Sequence, residues 1–403
     1  MQRLVMRGCV LTAALALASA QPAAQQVEVR VVIPQTTAKE IRAAIERSLE
    51  QTIDVRVWTD ISREISEAVR ESLAGAHGAA REVAEALRES SLHMPGTWGS
   101  PGGVRQDRTF TQEQIATESH TLAIGPNGTL VLRNVAGDIT VTAGTGRSAT
   151  VEATRRSRGR TDADAKLGLE RVKIEVDHRG ERATVTARYP EDERRPPYAV
   201  STSYVVTAPA GTMLTIATLA GNVSVKEIKG DVNGTVTSGN LTVAGSRVSV
   251  LKTLSGNLTV TDGDAESAME LSTLNGIIRL ERAKAKRLSI SALSGDIVAR
   301  DVETATATIT NTSGDIEYTG TVAKGGRYEI RAHSGDVRVV VPKGGFDVSA
   351  RTFSGRITAD AALGLQPTSQ NLARSSALKG TVGDGSASLD VSTFSGDVTI
   401  SRK

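Results

Sequence analysis

Large rings are scarce in this chain: 4 Phe, 5 Tyr and 2 Trp come to 3% of 403 residues. So few aromatics exclude a thick core built around them and leave few platforms for stacking sugars. Cysteine occurs once, as Cys9, which excludes a disulfide framework. Of the 5 histidines (His77, His93, His120, His178 and His333), no two stand at metal-ligand spacing. Neither sign of charge dominates: Lys+Arg 48 against Asp+Glu 45 gives +3, no electrostatic case for a nucleic-acid partner. Gly-x-Ser-x-Gly and Walker-type loops are missing too. The sequence therefore offers no catalytic residue and no cofactor, and the chain reads as a non-enzyme. What it does have is 38 glycines in a globular balance of 39% hydrophobic and 23% charged residues. Many turns and thin β layers are expected.

The start, Met1-Gln2-Arg3-Leu4-Val5-Met6-Arg7, is followed by an apolar run from Cys9 to Ala18 and by Ala18-Ser19-Ala20. A basic opening, a short apolar stretch and a small-x-small site describe a secretory signal peptide over 1–20. Cys9 precedes most of the apolar run, which argues against lipidation. No later stretch reaches the ~18 apolar residues that a transmembrane anchor needs. Cleavage after Ala20 removes Arg3, Arg7 and Cys9, so the charge falls from +3 to +1 and no thiol remains. The expected location is periplasmic, cell-surface or extracellular.

Residues 27–92 read as a small helical region with short strands. Val27, Val29 and Val31 alternate, as do Ile53, Val55 and Val57. Ile61, Ile65, Val69, Leu73, Ala76, Ala80, Val83 and Leu87 keep one helical stripe. That helix packs on its own protein or supports self-association through 60–90; Gly75 and Gly78 weaken a coiled-coil version. Pro95-Gly96 and Pro101-Gly102-Gly103 mark a linker over 93–118.

From Gly221 onward one pattern returns: a small residue, Gly, Asp or Asn, then an alternating β run. Ser238-Gly239-Asn240-Leu241, Ser255-Gly256-Asn257-Leu258, Ser294-Gly295-Asp296-Ile297 and Ser313-Gly314-Asp315-Ile316 are clear copies. So are Ser334-Gly335-Asp336-Val337, Ser354-Gly355-Arg356-Ile357 and Ser395-Gly396-Asp397-Val398, with Asn275-Gly276-Ile277-Ile278 a looser one. The glycine spacings are 18, 17, 20, 19, 19, 21, 20 and 41, and the last reads as two periods. Apolar residues recur five and seven places before most of these glycines and two after each, with Ser249 the polar exception. Each period thus carries two short strands with one inward face. A lone period cannot bury enough surface to stand alone, so the periods must stack. The expected fold is mainly β: a β-solenoid of about 20-residue rungs over 219–403, with about nine rungs at ~4.8 Å making a column of roughly 43 Å. An irregular β cap over 119–218, itself holding the copy Val135-Ala136-Gly137-Asp138-Ile139, protects one end. A twisted β-sandwich of hairpins is the alternative. Arg155-Arg156-Ser157-Arg158-Gly159-Arg160 reads as a solvated basic loop, with contact to an anionic surface as the sharper option.

A leading Gly-Asp-Ile-Thr-Val, then Val205-Val206-Thr207-Ala208-Pro209-Ala210-Gly211, then Ser-Gly-Asp repeats closing on Phe394-Ser395-Gly396-Asp397-Val398-Thr399-Ile400 make the chain similar to a known group. About 119–403 resembles the bacterial putative-adhesin family of unknown function, built of β-strand repeats. The resemblance implies an envelope-associated, non-catalytic role and supplies no catalytic residues.

Two columns follow from the register. Asn222, Asn240, Asn257, Asp296, Asp315, Asp336 and Asp397 should stack along one turn. They read first as turn formers, and second as a calcium ladder between Asp296, Asp315 and Asp336. Two places before the glycines stand Leu254, Leu274, Leu293, His333, Phe353 and Phe394, outward by parity. These either fold back against the turn, the preferred reading, or form an apolar stripe that contacts a partner. The favoured function is an exported, non-catalytic cell-envelope scaffold or adhesion-type interaction protein, its partner an envelope protein or a surface glycan. A periplasmic regulatory or stress-response module is the alternative. A polysaccharide-active β-helix enzyme ranks last, because Trp58 and Trp98 both precede the repeats.

Overall fold

The computed structural model describes residues 110–190, 196–341, 344–365, 367–369 and 376–402. All lie in the larger of the chain's two compact units, Val55–Lys403. The signal peptide expected over 1–20, the helical region 27–92 with its 60–90 stripe, and linker residues 93–109 lie outside the described residues. Residues 112–118, assigned to the linker by composition, instead begin the strand Gln112–Leu122.

Each period forms strand, turn, strand, and each strand pairs with its equivalents in the neighbouring periods. Val232–Ser238 lies between Met213–Ala220 and Val248–Ser255, parallel to both. Beyond the turn, Leu241–Ala244 lies between Val223–Lys226 and Leu258–Thr261, again parallel. Hairpins would pair consecutive strands antiparallel, so these ladders define a β-solenoid and not the hairpin sandwich. The inward positions read from the sequence are the core: Leu251, Leu271, Ile290, Ile309 and Ile330 are exposed by 1% or less, as are Leu258, Ile278, Ile297 and Ile316. Ser249 breaks the pattern because the ladder slips between Val232 and Asn233, and Val248, fully buried, takes the inward place.

Glycine at the turn answers two constraints. Gly239 and Gly256 sit at φ +136° and +138°, a region L side chains rarely adopt. A Cβ on Gly239 would lie 2.1 Å from the Gly221 carbonyl oxygen, and one on Gly256 would lie 2.0 Å from that of Gly239. The same contact runs through Gly137, Gly221, Gly239, Gly256, Gly276, Gly295, Gly314, Gly335, Gly396 and Gly355, in that spatial order.

That order departs from the sequence at both ends. The rung over 388–402 enters between the rungs over 327–341 and 346–359 (Ser388–Ser395 pairs on both sides, as does Val398–Arg402). The 41-residue interval therefore does not hold two stacked periods. It contains Ala361–Leu363, Pro367–Ser369 and Ser376–Val382, the last antiparallel against Phe346–Ser354. At the other end, Thr129–Ala136 and Ile139–Gly144 lie inside an outer rung made by Arg182–Arg188 and Tyr198–Pro209. Lys173–Arg179 and Ala149–Gly159 then close that rung antiparallel, and Gln112–Leu122 pairs on the latter. Reversing strand direction at both ends stops the parallel ladder from offering another rung site.

The 119–218 segment thus carries one regular rung as well as the cap, together with a helix the period-2 reading missed, Asp162–Arg171. Thr161 caps it: its hydroxyl accepts from the Asp164 N–H, and the Asp164 carboxylate accepts from the Thr161 N–H. The basic run 155–160 is not a loop: residues 155–159 belong to the strand Ala149–Gly159. Arg155 Nη1 donates to the Leu169 and Val172 carbonyls at the end of the helix, while Nη2 meets Glu118 at 3.2 Å. Arg156 and Arg158 both pair with Glu113. Three of these arginines are therefore engaged within the fold rather than held out for an anionic surface.

Candidate interaction surface

The turn edge brings three columns together. Three places before the glycines, buried Asn and Thr side chains, interrupted by Val236, Ala292 and Ala332, face inward and hold turn carbonyls. Asn311 Nδ2 donates to the Gly295 and Gly314 oxygens, both at 2.9 Å. Thr352 Oγ1 donates to Gly396 O at 2.9 Å, and Asn134 Nδ2 to Gly137 O at 3.1 Å and Thr202 O at 2.7 Å. Sequence patterning overlooked these residues, because Thr or Asn flanking a turn looks solvent-facing. Their place three before Gly was the available signal.

One place after the glycines, the Asp/Asn side chains form the ladder expected from the register, each bonding to the next rung. Asp296 Oδ1 accepts from the Asp315 N–H at 3.0 Å, Asp315 Oδ1 from Asp336 at 2.8 Å, and Asp336 Oδ1 from Asp397 at 2.8 Å. Earlier in the column, Asp138, Asn222, Asn240 and Asn257 each accept in the same way from the backbone N–H of the rung that follows. The exceptions have different meanings. Ile277 has no acceptor to offer Asp296, and so breaks the ladder. Arg356 lies on the last glycine rung, donates its backbone N–H to Asp397 Oδ1 at 2.8 Å, and has no following turn to cap. The aspartates proposed for calcium thus each commit one oxygen to backbone. Among the described residues no group of three or more His, Cys, Asp or Glu is placed to hold a metal.

Two places before the glycines, Leu254, Leu274, Leu293, His333, Phe353 and Phe394 all lie on the outer face, and all are half-buried. Their inward neighbours Thr253, Thr273 and Ala292 are exposed by 3% or less, which fixes the parity. The leucines stand one rung apart. Thr312 separates them from a ring stack: His333 and Phe394 have centroids 5.2 Å apart at 9°, and Phe394 and Phe353 4.9 Å apart at 7°. These distances are those of neighbouring rungs. Phe394 is the middle ring only because its rung is inserted; sequence order would have put it last. On the same outer face Lys252 pairs with Glu270 at 2.8 Å, and Ser272 and Ser392 are 2% exposed. The outer face is therefore partly covered by its own side chains, with an apolar ridge along the turn.

Burial pushes the Tyr204, Tyr318 and Tyr328 phenols up, as expected for core rings rather than proton-transfer groups. The perturbed carboxylates lie at exposed ion pairs: Arg282 holds Asp262 below the usual carboxylate range, and Arg300 does so for Glu317.

The parallel ladders on both sides of each turn define the class, a β-solenoid. Residues 128–401 match the Toastrack DUF4097 family, and the chain belongs to it. Its solved neighbours include a putative cell adhesion protein from Clostridium sporogenes, at 12% identity, 72% of this chain, 100% of that chain and a TM-score of 0.19. A putative adhesin from Bacteroides fragilis is similar at 13% identity, 72% and 97% coverage and a TM-score of 0.36. Another, from Parabacteroides merdae, shows 13% identity, 72% and 96% coverage and a TM-score of 0.33. None of the curated proteins matches the chain.

Proposed function

We propose that this chain is an exported, non-catalytic scaffold of the cell envelope that binds a protein partner along the apolar ridge of its turn edge. The observation that carries this reading is the outward column of Leu254, Leu274, Leu293, His333, Phe394 and Phe353, half-buried and unbroken but for Thr312. Export rests on the signal-like residues 1–20, and the non-catalytic role on the use of the turn carboxylates as backbone acceptors. The ring stack favours a protein over a glycan. Sugars bind on ring faces, and the faces between His333, Phe394 and Phe353 are occupied by one another, leaving edges outward. Capture from envelope extracts by the immobilised chain, compared with a Leu293→Ser/Phe394→Ser variant of unchanged circular dichroism, tests it. Retention of one envelope protein by the first and its loss from the second are expected. Equal capture by both would overturn the assignment to this ridge.

A further inference from the structure

The 388–402 rung is a plug held in a slot. On one side lies the rung over 327–341, on the other the rung over 346–359, and removing the plug would expose two parallel strand edges about 9.6 Å apart, two rung spacings. The fit is specific at every layer. Leu389, Val391, Val398 and Ile400 fill the core at 1% exposure or less. Thr393 Oγ1 donates to Gly335 O at 3.2 Å, and Asp397 Oδ1 accepts from the Arg356 N–H at 2.8 Å. Phe394 completes the ring stack. Among the described residues one connection ties the plug to the rest of the fold, 383–387. It crosses over the start of Phe346–Ser354, where Asp384 lies against Gly345, and it carries two left-handed glycines, Gly383 at φ +62° and Gly385 at φ +63°.

We propose that this slot is a self-association site, filled in trans by the 388–402 rung of a second copy of the chain. The partner is fixed by chemistry: a segment must bring glycine at the turn, an Asp or Asn after it and four inward aliphatics at the right spacing, and the copy's own rung does. Strand exchange of this kind requires no new interface, since the same bonds form in either arrangement. Insertion in cis enjoys an effective concentration in the millimolar range, so exchange is favoured where copies are crowded or where the connection cannot close.

Shortening the connection separates the two arrangements. Deleting Gly383–Ser386 leaves two Cα steps between Val382 and Ser388, at most about 7 Å, against the ~9.6 Å that must be crossed. The full chain with this deletion is expected to be a dimer by light scattering, with the circular dichroism of the parent. A folded monomer would overturn the proposal. A second measurement covers a deletion that fails to fold. Ser334→Cys and Ser395→Cys chains, each also Cys9→Ser, are mixed, concentrated, warmed below the melting temperature and oxidised. Ser334 and Ser395 are register partners across the slot. A disulfide-linked heterodimer joining position 334 of one copy to 395 of the other is expected; its absence, with the rung still exchanging by hydrogen–deuterium measurement, would refute exchange.

Discussion

Replacing Gly256 by alanine probes the turn column where rungs flank it on both sides. The new methyl would meet the Gly239 carbonyl oxygen at 2.0 Å, a separation real Cβ atoms do not show, at a φ of +138°. Backbone strain in such a region costs about 1–3 kcal/mol. Relieving the clash means parting two rungs at the hydrogen bonds Gly239 N–H to Ser255 O and Leu241 N–H to Asn257 O, both 2.9 Å. Each is worth about 0.5–1.5 kcal/mol net. The expected loss is about 2–6 kcal/mol, a large part of the ~5–15 kcal/mol that holds a typical domain. Gly180 is the control: its φ is +58°, but nothing lies within 4 Å of an added Cβ. Alanine there should cost about 1 kcal/mol or less, left-handed strain being partly offset by a stiffer unfolded chain. Urea midpoints at constant m-value measure the difference. If the two alanines cost the same within ~0.5 kcal/mol, close stacking of the turns is not what glycine serves.

Other outcomes follow from the same geometry. Ile277→Asn restores the missing acceptor for Asp296 and should stabilise by about 0.5–1 kcal/mol, whereas Arg356→Asn, on a rung with no following turn, should change the urea midpoint little. Phe394→Ala loses half-buried area and both ring contacts, and should cost about 2–4 kcal/mol; Leu293→Ser, losing area alone, should cost about 1 kcal/mol. Because the folded-state pKa values of Asp262 and Glu317 are lowered by Arg282 and Arg300, their contribution is present above the unfolded carboxylate pKa and lost as pH falls through the folded one. Stability should therefore decline below about pH 4, and Arg282→Gln should return the Asp262 titration, followed by NMR, toward its ordinary range.

Much of the fold was legible because one constraint repeats. Apolar residues at fixed offsets from Ser-Gly-Asp give strand, turn and inward face without further information. Even the Ser249 exception marks a real slip of the ladder. The Asp/Asn column was legible as a stack, but not its bonding: that each side chain caps the following rung depends on inter-rung distance. Rung order was not legible. Every rung presents nearly the same edge, so nothing local distinguishes 388–402 beside 346–359 from 388–402 inside it. The inversion is decided by Ser376–Val382, which covers the outer edge of Phe346–Ser354 and leaves the inner position for the last rung. The ring stack inherits that ambiguity. The helix Asp162–Arg171 did carry a local signal, Thr161 three residues before Asp164, overshadowed by the neighbouring arginines.

The inserted last rung is the central claim, and a pair of disulfides tests it. In a Cys9→Ser background, Ser334→Cys/Ser395→Cys joins register neighbours about 4.8 Å apart, within disulfide reach. Ser334→Cys/Ser354→Cys joins positions with Ser395 between them, about 9.6 Å apart, beyond that reach. Rapid oxidation of the first pair and none of the second is predicted. Ready closure of the 334–354 pair, with the 334–395 pair left reduced, would show that the rungs stack in sequence order and contradict the account.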